Sequence, residues 1–224
     1  KLSAIAPMDL QTVSFELTAK KNEVYYVVLK ETGSNKSLSE DFLTLYETPP
    51  AKEVVSSPKS VSLSRTKYTY NRKVQKPSVT AIGSNGKRIS ASNYTVSYSK
   101  GCKYVGTYTV KVTFKGSYKG TYSKKFTIVP KGTSISGLSG RKGGMTLKWK
   151  KQSSQTTGYQ IQYSTSSSFR KSKTVTISSA KTVSKTISRL SRRKKYYVRI
   201  RTYKTLGKTR YYSSWSKAKS VKTK

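Results

Sequence analysis

The densest group of side chains that could do chemistry in this sequence is cationic. Residues 188–205, SRLSRRKKYYVRIRTYKT, hold eight Lys and Arg residues, three tyrosines and no acid. Guanidinium and ammonium groups at this density attract phosphate, sulfate or carboxylate polymers. Four cations are consecutive, and we expect them to contact a polyanion, the alternative being an ordinary solvated loop: Arg192, Arg193, Lys194 and Lys195.

The strand that follows this loop carries two more arginines. Strand alternation points three side chains inward: Tyr196, Val198 and Ile200. It points four outward on one face: Tyr197, Arg199, Arg201 and Tyr203. Two roles stay open for Arg199 and Arg201. The first is stacking on aromatic residues of the adjoining strand, such as Tyr212 or Trp215. The second is direct contact with a polyanion.

The charges are separated along the chain. All eight acids precede Val54, together with six of the 46 Lys and Arg residues. The remaining 171 residues therefore carry 40 cations and no carboxylate side chain. Such a segment repels itself and attracts polyanions in a way that salt weakens. Because most of the cations are Lys, a hydrated point charge, diffuse attraction is favoured over precise readout.

The residue types exclude most catalysis. The chain has no His, and from Val54 onward neither a carboxylate pair, a Ser-His-Asp arrangement nor a side-chain metal site can be assembled. Glu40 and Asp41 are interpreted as solvated loop charges. Cys102, the single cysteine, is interpreted as a small buried side chain. We expect no enzyme activity, no cofactor and no metal in these residues.

Period-two alternation of apolar and polar residues predicts an all-β fold. It is clearest at residues 94–98, 108–114, 145–149 and 159–163, and we expect half-buried antiparallel strands there. Gly-containing turns separate these runs by roughly 8 to 12 residues, the spacing of a β-sandwich. No segment has helical periodicity, and none approaches the roughly 18 apolar residues of a membrane span.

Two breaks divide the chain into three predicted units. One is proline-rich, TPPAKEVVSSP at residues 48–58, and the other is VPKGT at residues 129–133. The predicted units are a short β fragment or linker at 1–53, a domain at 58–130 and a domain at 131–224. Since Lys1 is not an initiator, we expect N-terminal domains of the same polypeptide to precede them.

Residues 131–224 resemble a fibronectin type III domain. The resemblance is carried by LKWKK, GYQIQYS, and a Leu six residues before a Tyr in RLSRRKKYYVRI. It implies an antiparallel sandwich in which Trp149, Tyr159, Ile161 and Leu190 form the core and Tyr196 is the corner tyrosine whose hydroxyl bonds to nearby backbone. YSSWS also resembles the Trp-Ser-x-Trp-Ser element of cytokine-receptor domains.

Residues 58–130 resemble the bacterial Ig-like repeats of Gram-positive surface proteins. NYTVSYSKGCKYVGTYTVKVTFKGSYKGTYSKKFTIVP carries this resemblance. The two modules in tandem resemble the C-terminal region of secreted proteins of Gram-positive Firmicutes, which implies an extracellular or cell-surface location behind an enzyme or adhesive head.

Three functions follow from the charge and the resemblance. The first is attachment to anionic cell-wall polymers or glycans. The second is a passive spacer that presents an N-terminal domain. The third is non-specific binding of extracellular nucleic acid, for which counterion release guarantees some affinity. The ligand and the activity of the full-length protein do not follow from the residues.

Overall fold

The structure is a computed structural model that describes residues 57–224. The regular elements in this range are β-strands. A single 3₁₀ turn at Ala91–Asn93 is the exception in this range. Val, Ile, Thr and Tyr alternate with polar residues along most strands, as half-buried pleated surfaces require. The predicted all-β class is confirmed, while the β fragment predicted at residues 1–53 lies outside the described range.

The first sandwich contains six strands: β1 (Ser60–Leu63), β2 (Lys67–Thr69), β3 (Val79–Ile82), β4 (Tyr94–Tyr98), β5 (Gly106–Phe114) and β6 (Thr121–Val129). One sheet is formed by β1 and β3, and the other has the order β2-β6-β5-β4. Val110, Val112 and Ile128 are fully buried between them, and Phe126 is 1% exposed. Residues of both sheets therefore share one apolar core.

One strand pair departs from the predicted antiparallel arrangement. Strand β2 runs parallel to β6, with Lys67 opposite Thr127 and Thr69 opposite Val129. The chain leaves the β1–β3 sheet after Leu63 and enters the other sheet at Lys67, so β2 joins the last strand without a hairpin. The prediction of antiparallel pairing does not hold here, because hairpin reasoning covers only strands joined by tight turns.

The second sandwich contains eight strands: β7 (Ile135–Arg141), β8 (Gly144–Trp149), β9 (Gly158–Ser164), β10 (Lys173–Ile177), β11 (Ser184–Ser188), β12 (Lys195–Leu206), β13 (Thr209–Tyr212) and β14 (Lys219–Lys222). One sheet has the order β11-β8-β7. The other has the order β10-β9-β12-β13, and β14 also pairs with β12. All of these pairs are antiparallel.

The core of the second sandwich holds the five side chains that the resemblance places there: Trp149, Tyr159, Ile161, Leu190 and Tyr196. The rings of Trp149 and Tyr159 lie 5.3 Å apart. The buried Tyr159 hydroxyl accepts a hydrogen bond from the backbone N–H of Gln152 at 2.8 Å and lies 3.0 Å from the carbonyl oxygen of Ala180. These bonds fasten the β8–β9 and β10–β11 connections to the core.

The two sandwiches touch through polar and aromatic side chains. The backbone N–H of Val105 donates to Oε1 of Gln155 at 3.2 Å, and the Ser154 hydroxyl donates to Oη of Tyr70 at 3.2 Å. Tyr211 of β13 packs against the core of the first sandwich. The described residues thus form one compact unit, and the domain boundary predicted at residue 130 stays a prediction.

Candidate polyanion-binding surface

The predicted basic loop lies between β11 and β12, at one end of the second sandwich. Arg192, Arg193, Lys194 and Lys195 are all exposed. Buried Thr223 holds the loop: its hydroxyl donates to the carbonyl oxygen of Ser191 at 2.7 Å and accepts the backbone N–H of Lys194 at 3.1 Å. The four cations therefore project from a backbone that is already ordered, which reduces the entropy cost of binding.

Leu190 and Tyr196 fix the other side of the same loop. The backbone N–H of Ser191 donates to the Tyr196 hydroxyl at 3.2 Å, as expected of a corner tyrosine. The backbone N–H of Leu190 donates to the carbonyl oxygen of Gly143 at 2.9 Å, which ties the loop to the β7–β8 turn. These two hydrogen bonds hold the local turn.

Strand register brings further cations to this end of the sandwich. Ser188 of β11 lies opposite Gly144 of β8, and Lys195 of β12 lies opposite Lys222 of β14. Lys173 of β10 lies opposite Tyr163 near the end of β9. Twelve exposed cations, here called the distal basic cluster, occupy these strand ends and their connections: Arg141, Lys142, Arg170, Lys171, Lys173, Arg189, Arg192, Arg193, Lys194, Lys195, Lys222 and Lys224.

Arg199 and Arg201 belong to a stack of alternating arginines and aromatic rings on the outer face of β12, here called the arginine ladder. The guanidinium carbon of Arg199 lies 4.1 Å from the ring centroid of Phe169 and 4.8 Å from that of Trp215. Arg201 lies 4.2 Å from Trp215 and 3.9 Å from Tyr212. Both guanidinium groups therefore have an aromatic ring on each side, which is the internal role left open by the sequence.

Glutamines complete the ladder in place of carboxylates. Oε1 of Gln162 accepts from Nε of Arg199 at 2.7 Å, and Oε1 of Gln160 accepts from Nε and Nη2 of Arg201 at 2.8 and 2.5 Å. Burial, with a smaller contribution from the neighbouring Arg199 charge, lowers the pKa of Arg201 below the usual arginine value. The ladder is thus a structural element of the sheet that has little freedom to serve an external anion.

Two serines that sequence reasoning missed hold the ladder's outer edge. Hydroxyls of Ser213 and Ser216 accept the backbone N–H groups of Thr202 and Ile200, both at 3.1 Å. The backbone N–H groups of the same serines donate to the carbonyl oxygens of Thr202 and Ile200. The only sequence pattern that includes these serines is YSSWS, and the residues of that pattern predicted to have a role were Tyr212 and Trp215.

Tyr203 is not exposed on the face where strand alternation places it, because it packs against residues such as Tyr212, whose ring centroid lies 6.1 Å away. The Tyr203 side chain is 2% exposed, although it has the same strand parity as Arg199 and Arg201. Gly158 lies directly opposite on β9 and leaves space for the ring, whose hydroxyl lies 3.4 Å from the carbonyl oxygen of Ile177 on β10. Tyr197 does stay on the outer face, partly exposed, with Nζ of Lys195 5.4 Å from its ring centroid.

The described residues offer no other chemistry of the kinds considered from the sequence. No group of three or more metal-ligating side chains occurs among residues 57–224. Cys102 is buried, and its thiol lies 3.1 Å from the carbonyl oxygen of Ser99. In the part of the chain that the structure describes, no helix is long and apolar enough to cross a membrane.

Residues 129–219, which include most of the second sandwich, match the family model described as a fibronectin type III domain. The first sandwich precedes it in the same unit, so the chain carries β-sandwich modules in tandem. No curated protein matches the chain.

Several solved structures of fibronectin type III segments are similar to the chain. A two-domain segment of chicken tenascin is 21% identical to this chain, with a TM-score of 0.41. The alignment covers 74% of this chain and 99% of the tenascin segment. The chicken CNTN1 FN1-FN3 domains are 15% identical to this chain, with a TM-score of 0.39. The alignment covers 75% of this chain and 67% of the CNTN1 chain.

Proposed function

We propose that residues 57–224 are a non-catalytic attachment region of an extracellular or surface protein, and that they bind anionic cell-envelope polymers or glycans. The distal basic cluster carries this proposal. Its cations lie in a part of the chain that contains 40 Lys and Arg residues and no carboxylate side chain. No carboxylate side chain among residues 57–224 balances them, and they form a positive surface that a polyanion can span.

The cluster differs from an ordinary solvated surface in its order. Two side chains, Thr223 and Tyr196, hold the backbone at the loop of residues 192–195 through hydrogen bonds with Ser191, just before it, and Lys194, within it. Fibronectin type III domains are typical structural or adhesive units of extracellular proteins, which agrees with an attachment role.

Binding of the full 224-residue chain to immobilised poly(glycerol phosphate) and to heparin tests the proposal. We expect saturable binding at about 0.15 M salt that weakens steeply as salt rises. Short duplex DNA is added as a competitor. The proposal is overturned if the DNA displaces the chain from each polymer as effectively as the other polymer does. The function would then be non-specific polyanion binding that includes nucleic acid.

Two variants of equal charge locate the contact. The loop variant carries Arg192→Gln, Arg193→Gln, Lys194→Gln and Lys195→Gln. Its matched control removes two arginines and two lysines from the first sandwich: Arg65→Gln, Arg88→Gln, Lys124→Gln and Lys125→Gln. We expect the loop variant to lose roughly tenfold or more in affinity and the control about threefold or less. Equal losses would mean that the charge is diffuse.

A spacer function is the second candidate, and the junction of the two sandwiches favours it. Hydrogen bonds from Val105 to Gln155 and from Ser154 to Tyr70, with the packing of Tyr211, connect the modules. A connected pair of sandwiches suits a stalk. Absence of saturable binding to any anionic polymer at physiological ionic strength would leave this function in place of attachment.

A further inference from the structure

A cleft of about 210 Å³ opens at the distal end of the second sandwich, beside the basic loop. Its floor consists of buried side chains: Tyr163, Leu190 and Tyr196. Its rim carries exposed cations: Lys171, Lys173 and Arg189. Aromatic side chains beside converging polar groups are common in small-molecule sites, and three cations favour an anionic ligand.

The Tyr163 hydroxyl of the cleft is available to a ligand. The rings of Tyr163 and Tyr196 lie 6.3 Å apart, and the Tyr196 hydroxyl already accepts the backbone N–H of Ser191. The Tyr163 hydroxyl has no hydrogen-bond partner among residues 57–224. Burial raises the pKa of Tyr163, so at neutral pH this hydroxyl stays protonated and can donate.

The backbone around the cleft adopts conformations that L residues rarely use. Lys171 and Arg189 on the rim have positive φ angles of 47° and 60°, and the nearby Phe169 and Arg193 have 59° and 56°. The described part of the chain has six such non-glycine residues, and four of them flank this cleft. Concentrated backbone strain of this kind is typical of ligand-binding sites, where it fixes the direction of side chains.

The size of the cleft limits the ligand. Pockets for drug-sized molecules start at about 300 Å³, so about 210 Å³ suits a single sugar-sized group rather than an oligosaccharide. We propose that the cleft binds one saccharide unit bearing a phosphate or sulfate group. The sugar ring packs on the tyrosine floor, the three rim cations bind the oxyanion, and the Tyr163 hydroxyl donates to the ligand.

This site deepens the proposed attachment function and rests on it only for the source of the ligand. A polymer that places one charged sugar in the cleft continues over the loop at residues 192–195, which begins next to the cleft-lining Ser191. The loop supplies diffuse attraction, and the cleft adds recognition of an individual unit.

Titration of the isotopically labelled full chain, followed by amide NMR at about 0.15 M salt, tests the site. The probes are glucose 6-phosphate and N-acetylglucosamine 6-sulfate, with glucose and inorganic phosphate as controls. We expect saturable shifts confined to the amides of the cleft, such as those of Thr165, Lys173 and Ser191. Inorganic phosphate binds more weakly because it cannot pack on the floor, and glucose causes no shift.

Two variants with matched controls separate recognition from charge. Tyr163→Phe changes no charge, and we expect it to weaken binding of the sugar ester at least about threefold, as expected for one lost hydrogen bond to a ligand. Its control is Tyr104→Phe, at an exposed ring on the first sandwich. Lys171→Gln with Lys173→Gln and Arg189→Gln abolishes the shifts, whereas Arg88→Gln with Lys124→Gln and Lys125→Gln preserves them.

The outcomes distinguish this site from the attachment function. Binding of the phosphate ester alone or of the sulfate ester alone supports the site and identifies a phosphorylated or a sulfated polymer as its source. Shifts scattered over lysines of both sandwiches, or an equal loss in the two triple variants, overturn the site. If the sugar esters fail to bind while the full chain still binds polymers, the attachment function stands and the cleft proposal falls.

Discussion

Comparison of Tyr163 and Tyr196 measures what the hydrogen bond of one tyrosine hydroxyl contributes to the free energy of unfolding. Both rings are buried in the same core, yet only the Tyr196 hydroxyl has a hydrogen bond within the described residues, from the backbone N–H of Ser191. We expect Tyr196→Phe to lower the free energy of unfolding by about 1 kcal/mol or somewhat more, because it leaves that N–H without its partner. Urea denaturation measures the change.

Tyr163→Phe is the matched control for this prediction. It removes a hydroxyl that has no partner among residues 57–224, and we expect a change within about 0.5 kcal/mol. Equal losses in the two variants would show that the hydrogen bond to Ser191 contributes nothing beyond the ring's burial.

Along strand β12, Arg201 is the arginine with the most partners. Its guanidinium group lies between Trp215 and Tyr212 and donates twice to Gln160. We expect Arg201→Lys to lower the free energy of unfolding by about 1 to 3 kcal/mol, because an ammonium group is not planar and cannot hold both rings and the amide oxygen. Thermal and urea denaturation measure this loss.

Arg88→Lys provides the comparison, since Arg88 is exposed and has no ring beside it among the described contacts. We expect it to change the free energy of unfolding by no more than about 0.5 kcal/mol. The structural role of the ladder would be refuted by an Arg201→Lys variant as stable as Arg88→Lys.

At the level of elements, alternation along single strands was enough to place much of the fold. Strand β4 has the predicted bounds, 94–98, and β5, β8 and β9 extend only slightly beyond the predicted runs. Alternation works here because each of these strands buries one face against a core. It could not predict the parallel β2–β6 pair, because the residues that pair there are far apart in sequence and no turn joins them.

The arginine ladder also depends on residues that alternation along single strands could not predict. Stacking of Arg199 and Arg201 on Trp215 was one of the two roles predicted for these arginines, although Trp215 lies in the connection between β13 and β14 and not on the adjoining strand where it was expected. Phe169 was missed because it lies in the irregular connection between β9 and β10, where no periodicity assigns a face. The burial of Tyr203 depends on Gly158 opposite it, a cross-strand fact that only register reveals.

For the whole molecule, unpaired positive charge predicts an unusual response to salt. Residues 57–224 contain 40 cationic side chains and no acid, so their mutual repulsion opposes folding. We expect the unfolding temperature to rise as sodium chloride is increased from about 0.02 to 0.5 M, because the added ions screen that repulsion. Calorimetry or fluorescence measures the trend.

The loop variant with four glutamines at residues 192–195 checks this explanation. Fewer like charges at one end should make its unfolding temperature less dependent on salt than that of the unaltered chain. An unfolding temperature that falls with salt would contradict repulsion as the dominant electrostatic effect.

Acid provides a second test at the same scale. Stability depends on pH only where the folded and unfolded states bind different numbers of protons. Residues 57–224 lack Asp, Glu and His, so none of their side chains titrates between about pH 3 and 7 in either state. We expect their free energy of unfolding to change by less than about 0.5 kcal/mol over that range, as reported by the fluorescence of Trp149 and Trp215. A clear loss at low pH would contradict this.

The two glutamines beside the arginine ladder have a consequence for the conditions under which attachment works. A carboxylate in the place of Gln160 or Gln162 would be neutralised in an acidified medium and release its arginine, whereas an amide oxygen keeps accepting. Phosphodiesters and sulfate esters are strong acids and also keep their charge. Attachment to a phosphodiester or sulfate-ester polymer is therefore indifferent to acidification, so that salt, rather than pH, would release the protein from it.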